Sequence, residues 1–325
     1  MNTNILMLLH TINVSNFKGL LQNNRRTTRN EKRTTNNEQL KKKTINEQLP
    51  SNNCHTERSR SAITGFLNTP PIWVNTQFNI QQFEFPEVDL TDFTPTPIPQ
   101  KIRLGHQMEY VFKQLLDHCP QYEVLIHNLP IRNGKQTIGE IDFILRDVKT
   151  QQLIHVELTY KFYIINPDIS EPIHQLMGPN RRDMFFTKME KIKNEQFSLL
   201  HSQPGSSALA EKGIDATLIN HQACYKAQLF EPYGSKPLNL RPLNPNCIVG
   251  YWLRMADFQT DTFKNHQFYI PYKSQWVLEP HTNVEWTPHF ETLLEINLRL
   301  LKQNAPMVWM KKSETEYEKF FVVWW

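Results

Sequence analysis

Residues 139–162 read GEIDFILRDVKTQQLIHVELTYKF, from Gly139 to Phe162. The stretch divides into two strands, Glu140 to Arg146 and Leu153 to Phe162, joined by a polar turn near Asp147–Gln152. Side chains of a strand alternate faces, so positions i and i+2 lie on one side, about 6.6–7 Å apart. In the first strand Ile141, Phe143 and Leu145 take a uniformly apolar side that must be core, and Glu140, Asp142 and Ile144 take the other. In the second, Val156, Leu158 and Tyr160 are the apolar side, opposite His155, Glu157, Thr159 and Lys161. If the two strands pair, Asp142 and Glu157 come close enough to share a divalent cation, with Lys161 further along the same face. The alternative is a polar sheet face covered by water or by a helix.

The flanking segments place this pair in an α/β fold. Leu104 to His118 carries Met108, Val111, Phe112, Leu115 and Leu116 at the i, i+3, i+4, i+7, i+8 spacing of an amphipathic helix. Glu109 lies about 100° around from Met108, at the border of that stripe, where its carboxylate can point along a groove between helix and sheet. Tyr122 to Leu129 reads as a strand, and Arg132-Asn133-Gly134-Lys135 as a turn. One helix followed by a three-strand meander predicts helices packed on a mixed sheet. A second helix is expected from about Arg181 to Leu200, with Asn180 as N-cap and Asp183 in its first turn. Phe185, Met189 and Ile192 would be its buried stripe, and Lys188, Lys191 and Lys193 its solvated side. The N–H groups at its start could hold a phosphate, or simple capping could account for Asn180 to Asp183.

The chemistry these residues suit is phosphodiester hydrolysis. Mg²⁺ takes hard oxygen ligands and keeps several waters, so one or two carboxylates plus a phosphate oxygen suffice. The metal acidifies a bound water and neutralises charge in the transition state. A lysine nearby orients the water or stabilises the developing charge. Asp142 and Glu157 would be the ligands, Glu109 an auxiliary ligand, and Lys161 the electrostatic partner. His155 and His174 have no ligand spacing and read as core or surface histidines. Trp252, Trp276 and Trp286 are candidates for base stacking or for core use. There is no Gly-rich phosphate loop and no nucleophile triad.

GEIDFI, a turn, then Val156-Glu157 and a lysine resemble the core of the PD-(D/E)XK nuclease superfamily, in which a helix carries a glutamate, one strand an aspartate and the next Glu-x-Lys. Glu109, Asp142 and Glu157 fall in that order. The chain also resembles the bacterial domain of unknown function 1853 family, through LGHQMEYVF, GEIDFILRD, HVELTYKFY, GPNRRDMFFTKMEKI and GYWL, over roughly residues 62–325. The resemblance implies a restriction-endonuclease-like core, Mg²⁺ or Mn²⁺ as cofactor, and nucleic acid, DNA ahead of RNA, as partner. One departure stands out: the superfamily pattern places lysine at position 159, where this chain has Thr159. Lys161 is one step further along the same face. The competing expectation is a protein that kept the fold, lost cleavage, and binds nucleic acid or a protein partner.

Composition sets the remaining bounds. Residues 1–60 hold 11 Lys/Arg against 4 Asp/Glu, whereas the remainder holds 25 against 28. The net charge of +4 therefore belongs to the leader, and the rest carries no global signature of a nucleic-acid binder. The leader, rich in Asn, Thr, Arg, Lys and Gln, cannot bury enough apolar surface to order itself. It reads as a disordered basic arm or a dispensable tail, with order beginning near Ile63. Cys54, Cys119, Cys224 and Cys247 lack metal or redox spacing and read as reduced thiols. No apolar run approaches the ~18 residues of a membrane span, and the N-terminal ILMLL run is too short for a secretory signal and is flanked by Asn, so a cytoplasmic protein is expected. The organisation expected is the leader (1–60), a helical and Pro-rich segment (61–100), the nuclease-like core (101–202) and an aromatic, β-rich C-terminal region (203–325). In that last region Cys247 to Leu253, Gln267 to Pro271, Gln275 to Leu278 and Phe320 to Trp325 read as strands, and His289 to Lys302 as a helix with Leu293, Ile296, Leu300 and Leu301 inward.

Overall fold

In the computed structural model, residues 51–325 are described apart from Gln100, Thr282 and the side chains of residues 51–55. Most of the basic leader therefore lies outside the described residues. In chain order the principal elements are α1 (Ser51–Asn68), β1 (Thr76–Gln77), β2 (Ile80–Gln82), α2 (Leu104–His118), β3 (Tyr122–Asn133), β4 (Gln136–Asp147), β5 (Leu153–Ile165) and β6 (Leu176–Met177). There follow α3 (Phe185–Lys191), a π turn (Ile192–Gln196), α4 (Phe197–His201), α5 (Gln203–Ala210), β7 (Ile219–Pro232), β8 (Ile248–Arg254), β9 (Gln267–Tyr269), β10 (Thr287–Pro288), α6 (His289–Leu300), β11 (Met307–Lys311) and β12 (Tyr317–Val323).

One mixed sheet runs through the molecule in the order β10-β9-β11-β12-β8-β7-β5-β4-β3, with β1, β2 and β6 off that path. β3, β4 and β5 form the expected antiparallel meander. The chain then crosses over through α3 to α5 and returns as β7, parallel to β5 over the full run Leu153↔Ile219 to Ile164↔Phe230. Parallel neighbours need such a crossover, and a helix is the usual one. β8 adds in parallel to β7, and β12 in parallel to β8. The sheet that holds the β3–β5 meander thus continues without a break into the C-terminal third.

Helices cover both faces, as a parallel sheet requires. On one face α1 and α2 deliver Ile63, Phe66, Met108, Val111, Phe112, Leu115 and Leu116 onto Phe143, Leu145, Ile154, Val156 and Phe162. Each such side chain contributes about 1.5–3 kcal/mol of burial, opposed by the entropy of ordering it. On the other face Phe185, Met189 and Ile192 pack with Tyr163, Tyr225 and Leu229. Beside them Leu200 and Leu209 meet Ile126, Ile131, Ile141 and Ile144. Ile141 therefore packs with Ile144, not with Phe143 and Leu145 as strict alternation in β4 predicts. The strand changes its set of neighbours between 141 and 143, where it parts from β5.

Several expectations need revising. α1 begins at Ser51, inside the segment read as disordered. The crossover helix starts at Phe185, four residues later than expected, and its N-cap Met184 makes no side-chain capping bond. Asn180 instead accepts the N–H of Ala305 at 2.8 Å, so no helix N-terminus stands at residues 180–183 to hold a phosphate. Gln275 to Leu278 is not a strand, because Lys273–Gln275 forms a 3₁₀ turn. Leu301 is exposed at the end of α6. Trp252 and Trp276 are buried, Trp252 donating to the carbonyl of Ile165 at 2.9 Å, and Trp286 stacks on Tyr317. They serve packing.

Candidate active site

The site forms where two strands part. The β4–β5 ladder holds from Arg146↔Leu153 to Phe143↔Val156 and stops there. Beyond that point the N–H of Leu158 would lose its partner. Asp142 supplies one: its Oδ2 accepts that N–H at 3.0 Å. The carboxylate works as a wedge, completing the backbone bonding of β5 while facing Glu157, whose other strand edge stays paired with β7.

Glu157 is fully buried. Its Oε1 pairs with His155 Nε2 at 3.0 Å, and Oε2 accepts the side-chain amide of Gln196. The carbonyl of that amide accepts Lys188 Nζ at 2.8 Å. A plain α-helix would set Lys188 and Gln196 about 80° apart around its axis. The π turn at Ile192–Gln196 inserts the extra residue that removes this offset, so both side chains reach the same buried carboxylates.

The electrostatics follow from burial. Desolvation pushes Asp142 well above its usual value, and Glu157 raises it further; the Leu158 N–H and Lys188 oppose. Desolvation likewise lifts Glu157 to about 7 against the pull of Lys188 and a hydrogen bond with Asp142. The first cause acting on Lys188 is burial, which lowers it, while Glu157 and Asp142 draw it back up. Two carboxylates and one ammonium thus form a desolvated cluster carrying one excess negative charge, and without a cation a proton takes up that excess.

Glu109 borders the cluster. Its Oε2 accepts Asn128 Nδ2 at 3.2 Å and lies 3.1 Å from His106 Nδ1, and its charge adds to the upward push on Asp142. Asn128 stands at a left-handed φ of 51° in β3, which Asn tolerates better than most residues. Among the described residues no three His, Cys, Asp or Glu side chains converge as a metal-holding group. Glu109 is therefore a neighbour of the pair and not a third member of it.

Lys161 takes a different place. It is on the expected face but pairs with Asp183, at the wall of the groove. Thr159 is buried beside the pair, its hydroxyl without a hydrogen-bond partner. The lysine at the carboxylates is Lys188, expected to be solvated. The sequence did hold a signal for it: Phe185, Lys188, Met189 and Ile192 are the i, i+3, i+4, i+7 set, so the lysine occupies a position of the buried stripe. Gln196, His221 and His201 carried no comparable sign.

By donor chemistry Asp142 and Glu157 suit a Mg²⁺ or Mn²⁺ ion. Their oxygens are hard, two carboxylates suffice when water and phosphate complete the shell, and a cation would favour the charged forms that desolvation now opposes in both and that Glu157 further opposes in Asp142. The unpaired Thr159 hydroxyl marks a polar spot beside them that the protein leaves unsatisfied.

A groove of about 750 Å³ opens beside the pair. Glu109, Thr159 and Lys188 belong to its lining, as do the basic residues Lys101, Arg103, Lys161, Arg182 and Lys273. Burial lowers the pKa of Lys273, and Lys161 and Arg103 lower it further, with Asp183 opposing. Such crowding of like charge is relieved by an anion. The folded part is not basic in sum, but this groove is.

Behind Glu157 stands a row of histidines. His155 Nδ1 meets His221 Nδ1 at 2.9 Å, and His221 Nε2 meets exposed His201 Nε2 at 2.8 Å. Burial pushes His155 down to about 3 and His221 to about 4, so both are neutral at neutral pH.

A family model described as Domain of unknown function (DUF1853) matches residues 64–323. The chain belongs to this family. Every site residue named above, from Lys101 to Lys273, falls inside the family's match. No curated protein and no solved structure matches the chain. Among the described residues, no helix is long and apolar enough to cross a membrane.

Proposed function

We propose that this family member is a divalent-metal-dependent nuclease of the PD-(D/E)XK type, hydrolysing phosphodiester bonds in nucleic acid, DNA ahead of RNA. The observation that carries this reading is the pair of half-buried Asp142 and buried Glu157, set against Lys188 beside a groove lined by basic side chains. The order of helix with Glu109, strand with Asp142 and strand with Glu157, followed by a crossover and a parallel strand, agrees with it.

Asp142 and Glu157 would hold the ion. When bound, it would supply an acidified water and charge neutralisation at the phosphate. The protein's own residues do the rest. The Leu158 N–H fixes the rotamer of Asp142. His155 and Gln196 fix both oxygens of Glu157. Lys188 places a positive charge where the scissile phosphate gains negative charge, in a desolvated setting where charges act strongly. The basic lining holds the flanking phosphates, a contact that positions the backbone and carries no sequence information.

The experiment is cleavage of plasmid DNA, single-stranded DNA and RNA in Mg²⁺ and in Mn²⁺. Wild type should cut in a metal-dependent manner, and Asp142→Ala should abolish cutting while leaving the melting midpoint largely intact. Wild-type protein that cuts none of these substrates in either metal would refute the reading.

A second reading has one observation in its favour. Thr159 stands where the superfamily pattern has lysine, and Lys161 is committed to Asp183. A non-catalytic protein that binds nucleic acid through the same groove would show binding with no cleavage in either metal.

A further inference from the structure

Of the row of histidines behind Glu157, only His155 enters that account; His221 and His201 have no part in it. His155 is on β5 and His221 on β7, and the parallel register sets them directly opposite each other. His201 closes α4. Phe197 stacks on His221 with ring centroids 4.8 Å apart and meets His155 edge-on at 5.7 Å. The three imidazoles are thus held by a strand pair, a helix end and a shared aromatic neighbour.

Both links between rings are nitrogen to nitrogen. Each needs one N–H and one lone pair, and a neutral imidazole has one of each. The row therefore admits two tautomer sets, running in opposite directions. Only one gives an ionised Glu157 the N–H it needs. In that set His155 carries its proton on Nε2, His221 on Nδ1 and His201 on Nε2. The other set turns a lone pair toward Glu157 and requires a protonated carboxyl there.

We propose that His155, backed by His221 and His201, is a positioning residue that locks Glu157 Oε1 as an ionised acceptor and so aims its carboxylate at a divalent cation. The proposal rests on the metal-dependent reading of the site. Carboxylates that ligate a metal are themselves held by hydrogen bonds from outer partners, and loss of such a partner typically costs 10–100-fold in metal affinity. His221 and His201 matter because a change of tautomer at His155 requires the same change in both of them.

Two measurements test it. Nitrogen-15 NMR of histidine-labelled, metal-free protein at about pH 9, above the raised value of Glu157, reads the tautomers directly. The proposal expects the Nδ1–H form at His221, the less common one for a free imidazole, and Nε2–H at His155. Nε2–H at His221 overturns it. Calorimetric titration with Mn²⁺ is the second arm. Affinity should fall at least tenfold in His155→Ala and recover to within about threefold of wild type in His155→Gln, whose amide can donate to Glu157. Equal affinity in wild type and His155→Ala overturns the proposal. Absence of Mn²⁺ binding by wild type refutes the nuclease reading instead, and the tautomer result, which needs neither metal nor variant, still stands or falls by itself.

Discussion

Lys188 and Lys161 occupy walls of the same groove but differ in their partners. Lys161 is satisfied by Asp183 at a half-exposed position, where an ion pair is worth little. Lys188 is half-buried and answers to Gln196 and the two carboxylates. Lys188→Ala should therefore lower kcat/KM for nucleic-acid cleavage on the order of 100-fold, as loss of a charge-stabilising donor does. Lys161→Ala should change it by no more than a few fold. Steady-state cleavage of one oligonucleotide by both variants decides the assignment. The carboxylate pair makes a separate prediction for metal-free protein. Glu157 rises from 4.5 to about 7 on folding, and Asp142 also rises. A raised carboxylate stabilises the fold fully below its unfolded pKa and loses that contribution as pH climbs through the folded value. Wild type in chelator should thus lose stability from about pH 4.5 to 7 relative to Glu157→Gln, by on the order of 1–3 kcal/mol. Urea midpoints across that range measure it. Asp142 and Glu157 were legible in the sequence because alternation needs only neighbouring residues. Lys188 was misread because three exposed-looking lysines in one helix resemble a solvated face. His221 and Gln196 were not legible, since their roles depend on strand register and on a π turn that no local pattern announces.

At the scale of elements, α2 shows what a periodic sequence fixes well. Its five-residue stripe was readable, its bounds fall at Leu104 and His118 as expected, and every residue of the stripe is buried. Phe112 touches Phe66, Phe83, Phe85 and Phe143 across the sheet face. Phe112→Ala should cost about 3–5 kcal/mol, read as a drop in the urea midpoint. β7 is the opposite case. It is the central strand, yet the sequence reading assigns it no element. Its face toward α1 carries Lys226 and Gln228, both buried. Lys226 donates to the carbonyl of Thr69, and Gln228 donates to the Tyr160 hydroxyl at 2.9 Å. Buried polar groups must be paired, and those partners lie more than 60 residues away in sequence. Interrupted hydrophobicity hid a strand that tertiary hydrogen bonds make stable.

At the scale of the molecule, the fold gathers one acidic pair, one half-buried lysine and a basic groove from five separate segments of chain. The arrangement is costly without a ligand: like charges crowd in the groove, and two carboxylates share a desolvated space. A ligand that binds the folded state and not the unfolded one raises the melting midpoint with concentration. The most direct test is therefore a melting curve of wild type and Asp142→Asn in chelator and in rising Mn²⁺. In chelator the variant should melt higher, since Asn can still accept the Leu158 N–H and no longer repels Glu157. With Mn²⁺ the midpoint of wild type should rise with concentration and overtake the variant, whose midpoint stays fixed. Wild-type and variant curves that respond identically to Mn²⁺, or not at all, would contradict a metal site at Asp142 and Glu157.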